Sequence, residues 1–104
     1  MKSPPAARPD VVFRSRAAVD VSAAFEWYEL QRLGLGERFL RSVDQAVEAV
    51  RENPERGPIA IGQIRRLIVQ RFPYGMFYVV QDGVIVVLTV VHSRRDPQRW
   101  PGGA

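Results

Sequence analysis

The chain has 104 residues, 46% hydrophobic and 25% charged, with no cysteine and a formal net charge of +4. That length holds one domain rather than two, and the lack of cysteine excludes a disulfide framework or a thiolate zinc site and favours a reducing, cytoplasmic location. The excess charge sits in one half: Met1 to Gly57 is balanced at nine basic against nine acidic residues, whereas Pro58 onward has six arginines against Asp82 and Asp96, as in chains that meet nucleic acid or an acidic protein.

Residues 1–10 contain three prolines and no apolar core of a secretory signal, which predicts a flexible tail. Val11 to Arg14 reads as a short strand, with Ser15 placed to cap the helix that follows. From Arg16 to Leu33, Ala17, Val21, Ala24, Phe25 and Tyr28 recur at helical spacing, and Asp20, Glu26 and Glu29 are assigned to the polar side. "GLGE" interrupts this pattern, with Gly34 suited to the left-handed end of one helix and Gly36 to the start of the next. Phe39, Val43, Ala46, Val47 and Val50 form the stripe of a second helix, which Pro54 ends. Two stripes with so short a link describe an antiparallel helical hairpin.

After Pro58 the apolar period becomes that of strands. "QIRRLIVQRF" is followed by a break at Pro73, then by "YGMFYVVQ", a hairpin signal at Asp82–Gly83, and "VIVVLTVV". The last run is apolar on both parities, as in a strand covered on both faces or a central one. At eight residues it is far short of the ~20 that cross a membrane. The predicted architecture is α+β, β-α-α-β-β-β, with the helical hairpin packed on a mainly antiparallel four-stranded sheet. One domain is predicted over residues 11–100, with a C-terminal tail at 101–104.

"GLGERFL" at the helical turn, "NPERGP" after it, "IRRLIVQRFPYGMFYVV" across two strands and "VVHSRRDPQRW" at the end resemble the RelE/ParE superfamily of toxins. These are the toxic halves of type II toxin–antitoxin (plasmid stabilisation) modules, and the likeness runs in order from Val11 to Trp100. It implies the RelE/ParE-like fold, growth inhibition, and a cognate antitoxin: a small DNA-binding protein whose C-terminal segment wraps around the toxin. It also implies one of two targets. The RelE-like branch cuts messenger RNA on the ribosome, whereas the ParE-like branch poisons DNA gyrase.

Cleaving RNA requires a base for the 2′-hydroxyl, an acid for the leaving oxygen and cations for the phosphorane. His92 is the conventional base, Tyr74 a proton donor, and Arg71 and Arg94 the cations of a RelE-like site. For a target- or antitoxin-binding surface the candidates are Arg65, Arg71, Arg94, Arg95, Arg99 and Trp100. Alternate side chains of a strand face opposite ways, so Arg65 rather than Arg66 is the one to share a face with Arg71. Each residue also has a plainer reading: His92 as a hydrogen-bonding strand end, Arg94 or Arg95 as a partner of Asp96, Tyr74 and Tyr78 as core or rim aromatics.

The RNA-cutting branch typically has a basic residue near the start of this strand, as in "HRLVY". Here the stretch is "YGMFY", and Gly75 takes that place; Ser93 and Arg94 stand where an aromatic would follow His92. The expected function is therefore a toxin that binds an essential target, DNA gyrase in the ParE manner. A metal-independent endoribonuclease acting with the ribosome on mRNA is the alternative, and a non-toxic basic binding module or decayed toxin the third. No cofactor, metal or membrane is expected: one histidine without cysteine makes a poor transition-metal site, and "GLG" lacks the P-loop ending.

Overall fold

The computed structural model describes residues 9–102. In chain order it contains β1 (Val11–Phe13), α1 (Ser15–Gln31), α2 (Leu35–Glu52), β2 (Ile59–Ile61), β3 (Ile64–Ile68), β4 (Tyr74–Gln81), β5 (Val84–His92) and a single 3₁₀ turn (Pro97–Arg99). The sheet runs β1-β5-β4-β3-β2, with β1 parallel to β5 and every other pair antiparallel. The helical hairpin lies on the sheet as the sequence predicts, but there are five strands rather than four. The extra one arises where a turn at Gly62 folds Ile59–Ile61 back along β3, pairing Ile61 with Ile64.

The hairpin is locked by a residue that periodicity assigned to solvent. The Glu29 carboxylate accepts from the backbone N–H of Gly34 at 3.0 Å and of Gly36 at 2.9 Å, capping donors that open α2. The two helices come so close here that a Cβ on Gly36 would lie 2.6 Å from the Phe25 carbonyl oxygen. Ser15 does not cap α1. Arg14 is the residue before the helix, and its N–H is taken by Val87 as the continuation of β1.

The main core lies between the hairpin and the sheet, where Phe39, Val50, Met76, Tyr78 and Val87 are fully buried. Burying side chains of this size stabilises by about 1.5–3 kcal/mol each. β4 is covered on both faces from Tyr74 to Val79. Its outward residue Phe77 belongs to a second, smaller cluster with Val91 and Trp100, flanked by Ala60 and Ile64. Asp82 (φ 50°) and Gly83 (φ 75°) form the expected hairpin turn between β4 and β5.

At one end of the molecule the chain entry and the loop after α2 are pinned. Pro9 accepts from Arg51 Nε at 3.1 Å and Asp10 accepts from the Ile85 N–H, so two residues of the predicted tail belong to the fold. Residues 1–8 and 103–104 of the predicted tails lie outside the described residues. The buried Tyr78 hydroxyl donates to Pro54 O at 2.8 Å and accepts from Gly57 N at 3.0 Å, which fixes the loop. At the other end, Tyr28, Phe39, Phe72 and Tyr74 stack edge-on and join both helices to the β3–β4 turn and the start of β4.

Candidate functional site

Most of the candidate side chains project from that aromatic end, where β5 leaves the sheet. His92 does not point freely into solvent. Its Nδ1 accepts the backbone N–H of Arg94 and of Arg95, both at 2.9 Å, and so closes the turn after the strand. A backbone N–H can only donate, so Nδ1 carries the lone pair and the neutral ring bears its proton on Nε2. Burial lowers the pKa of His92, as do the Arg95 and, less, Arg94 charges, against a smaller opposing pull from Asp96. The imidazole is therefore a neutral turn-former at pH 7, and protonating Nδ1 would open the turn.

Tyr74 packs edge-on against His92 with ring centroids 5.0 Å apart. Its hydroxyl accepts from Arg95 Nη2 at 2.8 Å, and its pKa is pushed up to about 12, chiefly by burial. The Arg95 guanidinium lies 4.2 Å over the Trp27 ring, a stacked cation held between an indole and a phenol. Tyr74, Arg95 and Trp27, together with Asp20, Ala24, Asp96 and Arg99, line a shallow cleft of 220 Å³.

Arg99 and Trp100, expected as contact residues, are engaged within the fold. Arg99 Nη2 reaches the Asp20 carboxylate at 2.9 Å and Thr89 Oγ1 at 3.1 Å, and Thr89 in turn donates to Asp20 Oδ2 at 2.6 Å. The same Oδ2 accepts the Val90 N–H at 3.0 Å. The three-residue β1 ends at Phe13 and leaves the rest of β5 without a partner on that side. Asp20 supplies the acceptor that a longer β1 would have provided. Asp20 is a correction: it is buried, not polar-side, and its position is readable at the 17–20–24–28 spacing of the buried face of α1. Trp100 is 9% exposed and stacks on Phe77 across the outer face, with the Arg66 guanidinium 5.1 Å above it. Gly75 is the residue beneath it, since a Cβ there would come within 3.2 Å of the indole and 3.1 Å of Phe77.

The remaining cations do not gather on one sheet face. Arg65 does face the helix side, opposite Tyr78, as parity requires. There it donates to Gly57 O at 2.8 Å and Glu55 O at 3.2 Å, several residues along the sheet from the β3–β4 turn that carries Arg71. Arg94 is exposed and, among the described residues, its side chain has no hydrogen-bond or ionic partner. Arg71 takes a left-handed backbone (φ 71°), which costs a non-glycine residue roughly 1 kcal/mol or more. Instead of joining Arg65, it faces α2 across a cleft of 540 Å³ lined also by Leu35, Arg38, Arg41, Ser42, Gln45 and Gln70. Arg38 and Arg41 escaped the sequence reading because single charges on the polar face of a helix look like solvated surface. The 38–41–45 spacing, one helical face, was the available signal.

Among the described residues no group of three or more His, Cys, Asp or Glu is placed to hold a metal, and no helix is long and apolar enough to cross a membrane. The sequence profile described as the ParE toxin of the type II toxin–antitoxin system, parDE, matches residues 11–97. A protein named Toxin RelE2 from Caulobacter vibrioides is 29% identical over 85 residues, which is 82% of this chain and 96% of that one. The fold is that of a chain in the chromosomal ParDE toxin–antitoxin system from P. aeruginosa, with a TM-score of 0.72 at 17% identity over 82% of this chain and 96% of the other.

Proposed function

Given that the chain belongs to the ParE toxin family of type II toxin–antitoxin systems, we propose that it arrests growth by binding an essential target, DNA gyrase in the ParE manner. On this reading a cognate antitoxin holds it inactive in the cytoplasm, and no bond of the target is cut.

The observation that carries the reading is the state of His92. A general base must offer a lone pair to the proton it removes. Nδ1 already accepts two backbone donors, and Nε2 bears the ring proton. Tyr74, with its pKa near 12, is a weak proton donor at neutral pH. Gly75, which stands where the RNA-cutting branch carries a cation, is roofed by Trp100. Losing one such transition-state donor commonly costs about 2.7–4 kcal/mol of barrier.

The relative named Toxin RelE2 keeps ribosome-dependent mRNA cleavage as the second reading. His92→Asn separates the two. The Asn carbonyl can accept the same pair of N–H donors as an Asx turn, but it cannot act as a base. Induced without antitoxin, His92→Asn should arrest growth as the unaltered chain does, with purified protein blocking supercoiling by gyrase and leaving translated mRNA whole. Loss of toxicity in this variant, together with cleaved mRNA in the unaltered chain, would replace binding by cleavage.

A further inference from the structure

The cleft between α2 and the β3–β4 turn has no part in that reading. Its rim carries Arg38, Arg41 and Arg71, and among the described residues none of these guanidinium groups has a carboxylate, hydrogen-bond or aromatic partner. Of the ten other described arginines six are engaged: Arg16 and Arg99 with Asp20, Arg51 with Glu48, Arg65 with Glu55, Arg66 and Arg95 on indole rings. Arg14, Arg32, Arg56 and Arg94 are exposed singly rather than grouped around a cavity. Three exposed cations around one cavity, with no carboxylate in its lining, make it a focus of positive potential. Arg71 adds backbone strain to the same place. A glycine or asparagine would sit at φ 71° more easily, yet an arginine is there.

We propose that this cleft is a binding site for the phosphate backbone of a nucleic-acid strand. Every polar side chain lining it can donate: three arginine forks, the amides of Gln45 and Gln70, and the Ser42 hydroxyl. No carboxylate lines it. Arg38, Arg41 and Gln45 follow one face of α2 over about 10 Å of its axis. Donors spread over that length can follow a run of phosphates, which each strand of a duplex carries at one per ~3.4 Å of its helix axis. The first turn of α2 adds the positive end of its dipole. A peptide partner would need a set of apolar anchors; the cleft offers only Leu35 and Phe72, whereas a mostly apolar lining occurs elsewhere, in the hollow formed by Phe13, Val21, Phe25 and Leu40. The proposal stands on the cleft alone and holds whichever target the toxin poisons.

The test is fluorescence anisotropy of the full chain, free of antitoxin, with labelled duplex DNA, single-stranded DNA and single-stranded RNA of equal length, repeated across a salt series. In the Arg38→Gln/Arg41→Gln/Arg71→Gln variant, affinity at low salt should fall more than tenfold, and the slope of log K against log salt should lose about 2–3. The matching variant of exposed arginines elsewhere, Arg14→Gln/Arg16→Gln/Arg32→Gln, should lose less than a third of that. Which of the three probes binds most tightly identifies the strand type. Arg71→Gly relieves the strained backbone, so it should weaken binding several-fold with an unchanged or raised melting midpoint. Equal losses in the two triple variants would show diffuse charge and overturn the site. So would a polyglutamate peptide that outcompetes every nucleic acid, no binding by any probe at low salt, or losses seen only in variants whose midpoint drops.

Discussion

The C-terminal segment and the α2 cleft make opposite use of arginine. "HSRRDPQRW" packs three arginines into six residues, yet the fold engages two of them: Arg95, though exposed, between Trp27 and Tyr74, and Arg99 on the buried Asp20. Arg38, Arg41 and Arg71 lie up to 33 positions apart in the sequence, look unremarkable there, and converge unpaired on one cavity. Local charge density thus measures how much cation is present, whereas the packing decides how much is free to bind. A clasp of this kind owes its arginines to stability, and a cleft owes them to a ligand.

The sharpest way to break that contrast is to remove Asp20. Its side chain is 7% exposed and that of Arg99 29%, so Asp20→Ala strands a largely buried guanidinium, the Thr89 hydroxyl and the Val90 N–H together. Breaking a buried pair costs about 3–5 kcal/mol, and the partial exposure of Arg99 places this one near 3 kcal/mol, measured as a shift in the urea midpoint. Arg38→Ala/Arg41→Ala, by contrast, should change stability by no more than about 0.5 kcal/mol per site. A cleft variant as damaging as Asp20→Ala would mean that the cleft is structural too.

Gly75→Arg restores the cation that the RNA-cutting branch carries and tests whether the clasp tolerates it. Any Cβ there meets Phe77 and Trp100 at 3.1–3.2 Å, and the longer side chain must lift the indole off the outer face. Such overpacking costs about 1–3 kcal/mol, and we expect roughly 2, with a red shift in tryptophan emission as Trp100 reaches water. The buried indole Nε1 has no hydrogen-bond partner among the described residues, which lowers the cost of releasing it. An unshifted emission spectrum would show that the ring can stay in place.

How much of this was legible beforehand follows from the range of each interaction. The helical stripes, the Gly34 turn, the Asp82–Gly83 hairpin and the inner strand β5 are local patterns of period or turn chemistry, and all four are in the structure. The fifth strand was missed because Ile59–Ile61 is only three residues long and its turn at Gly62 lacks the usual Asn-Gly or Asp-Gly pair. The roles of Asp20 and Glu29 were misread because a carboxylate on a helix normally faces water; their partners lie 5 to 79 residues away along the chain. Arg65, Arg71, Arg94, Arg95 and Arg99 were grouped by sequence position, and the fold distributes them among a loop, a cleft, open surface, an indole face and a buried carboxylate.

His92 allows a gentler test through pH. Its pKa is lowered in the folded chain relative to the ordinary value near 6.5, so the unfolded chain binds the proton more readily. The stability this contributes is full above pH ~6.5 and is lost as pH falls through the folded-state value. Urea midpoints should therefore decline on acidification across the histidine range. His92→Asn keeps the two turn hydrogen bonds and should abolish that part of the decline, whereas His92→Ala should lower stability at pH 7.5 by about 1 kcal/mol. A decline equally steep in His92→Asn would assign the acid sensitivity to the carboxylates instead.

The smallest effect separates charge from geometry at Arg65, which belongs to neither the clasp nor the cleft. Its guanidinium has two kinds of partner: the Glu55 carboxylate at 3.8 Å, on a side chain 79% exposed, and the carbonyl oxygens of Gly57 and Glu55 at 2.8 and 3.2 Å. An exposed pair this long contributes about 0–0.5 kcal/mol. The carbonyl bonds hold the loop that Tyr78 also grips and contribute about 1 kcal/mol together. Glu55→Gln should therefore leave the urea midpoint nearly unchanged and insensitive to salt, while Arg65→Ala lowers it measurably. If Glu55→Gln proved the more harmful of the two, the carboxylate would be what holds Arg65, and surface charge would count for more in this fold than its packing implies.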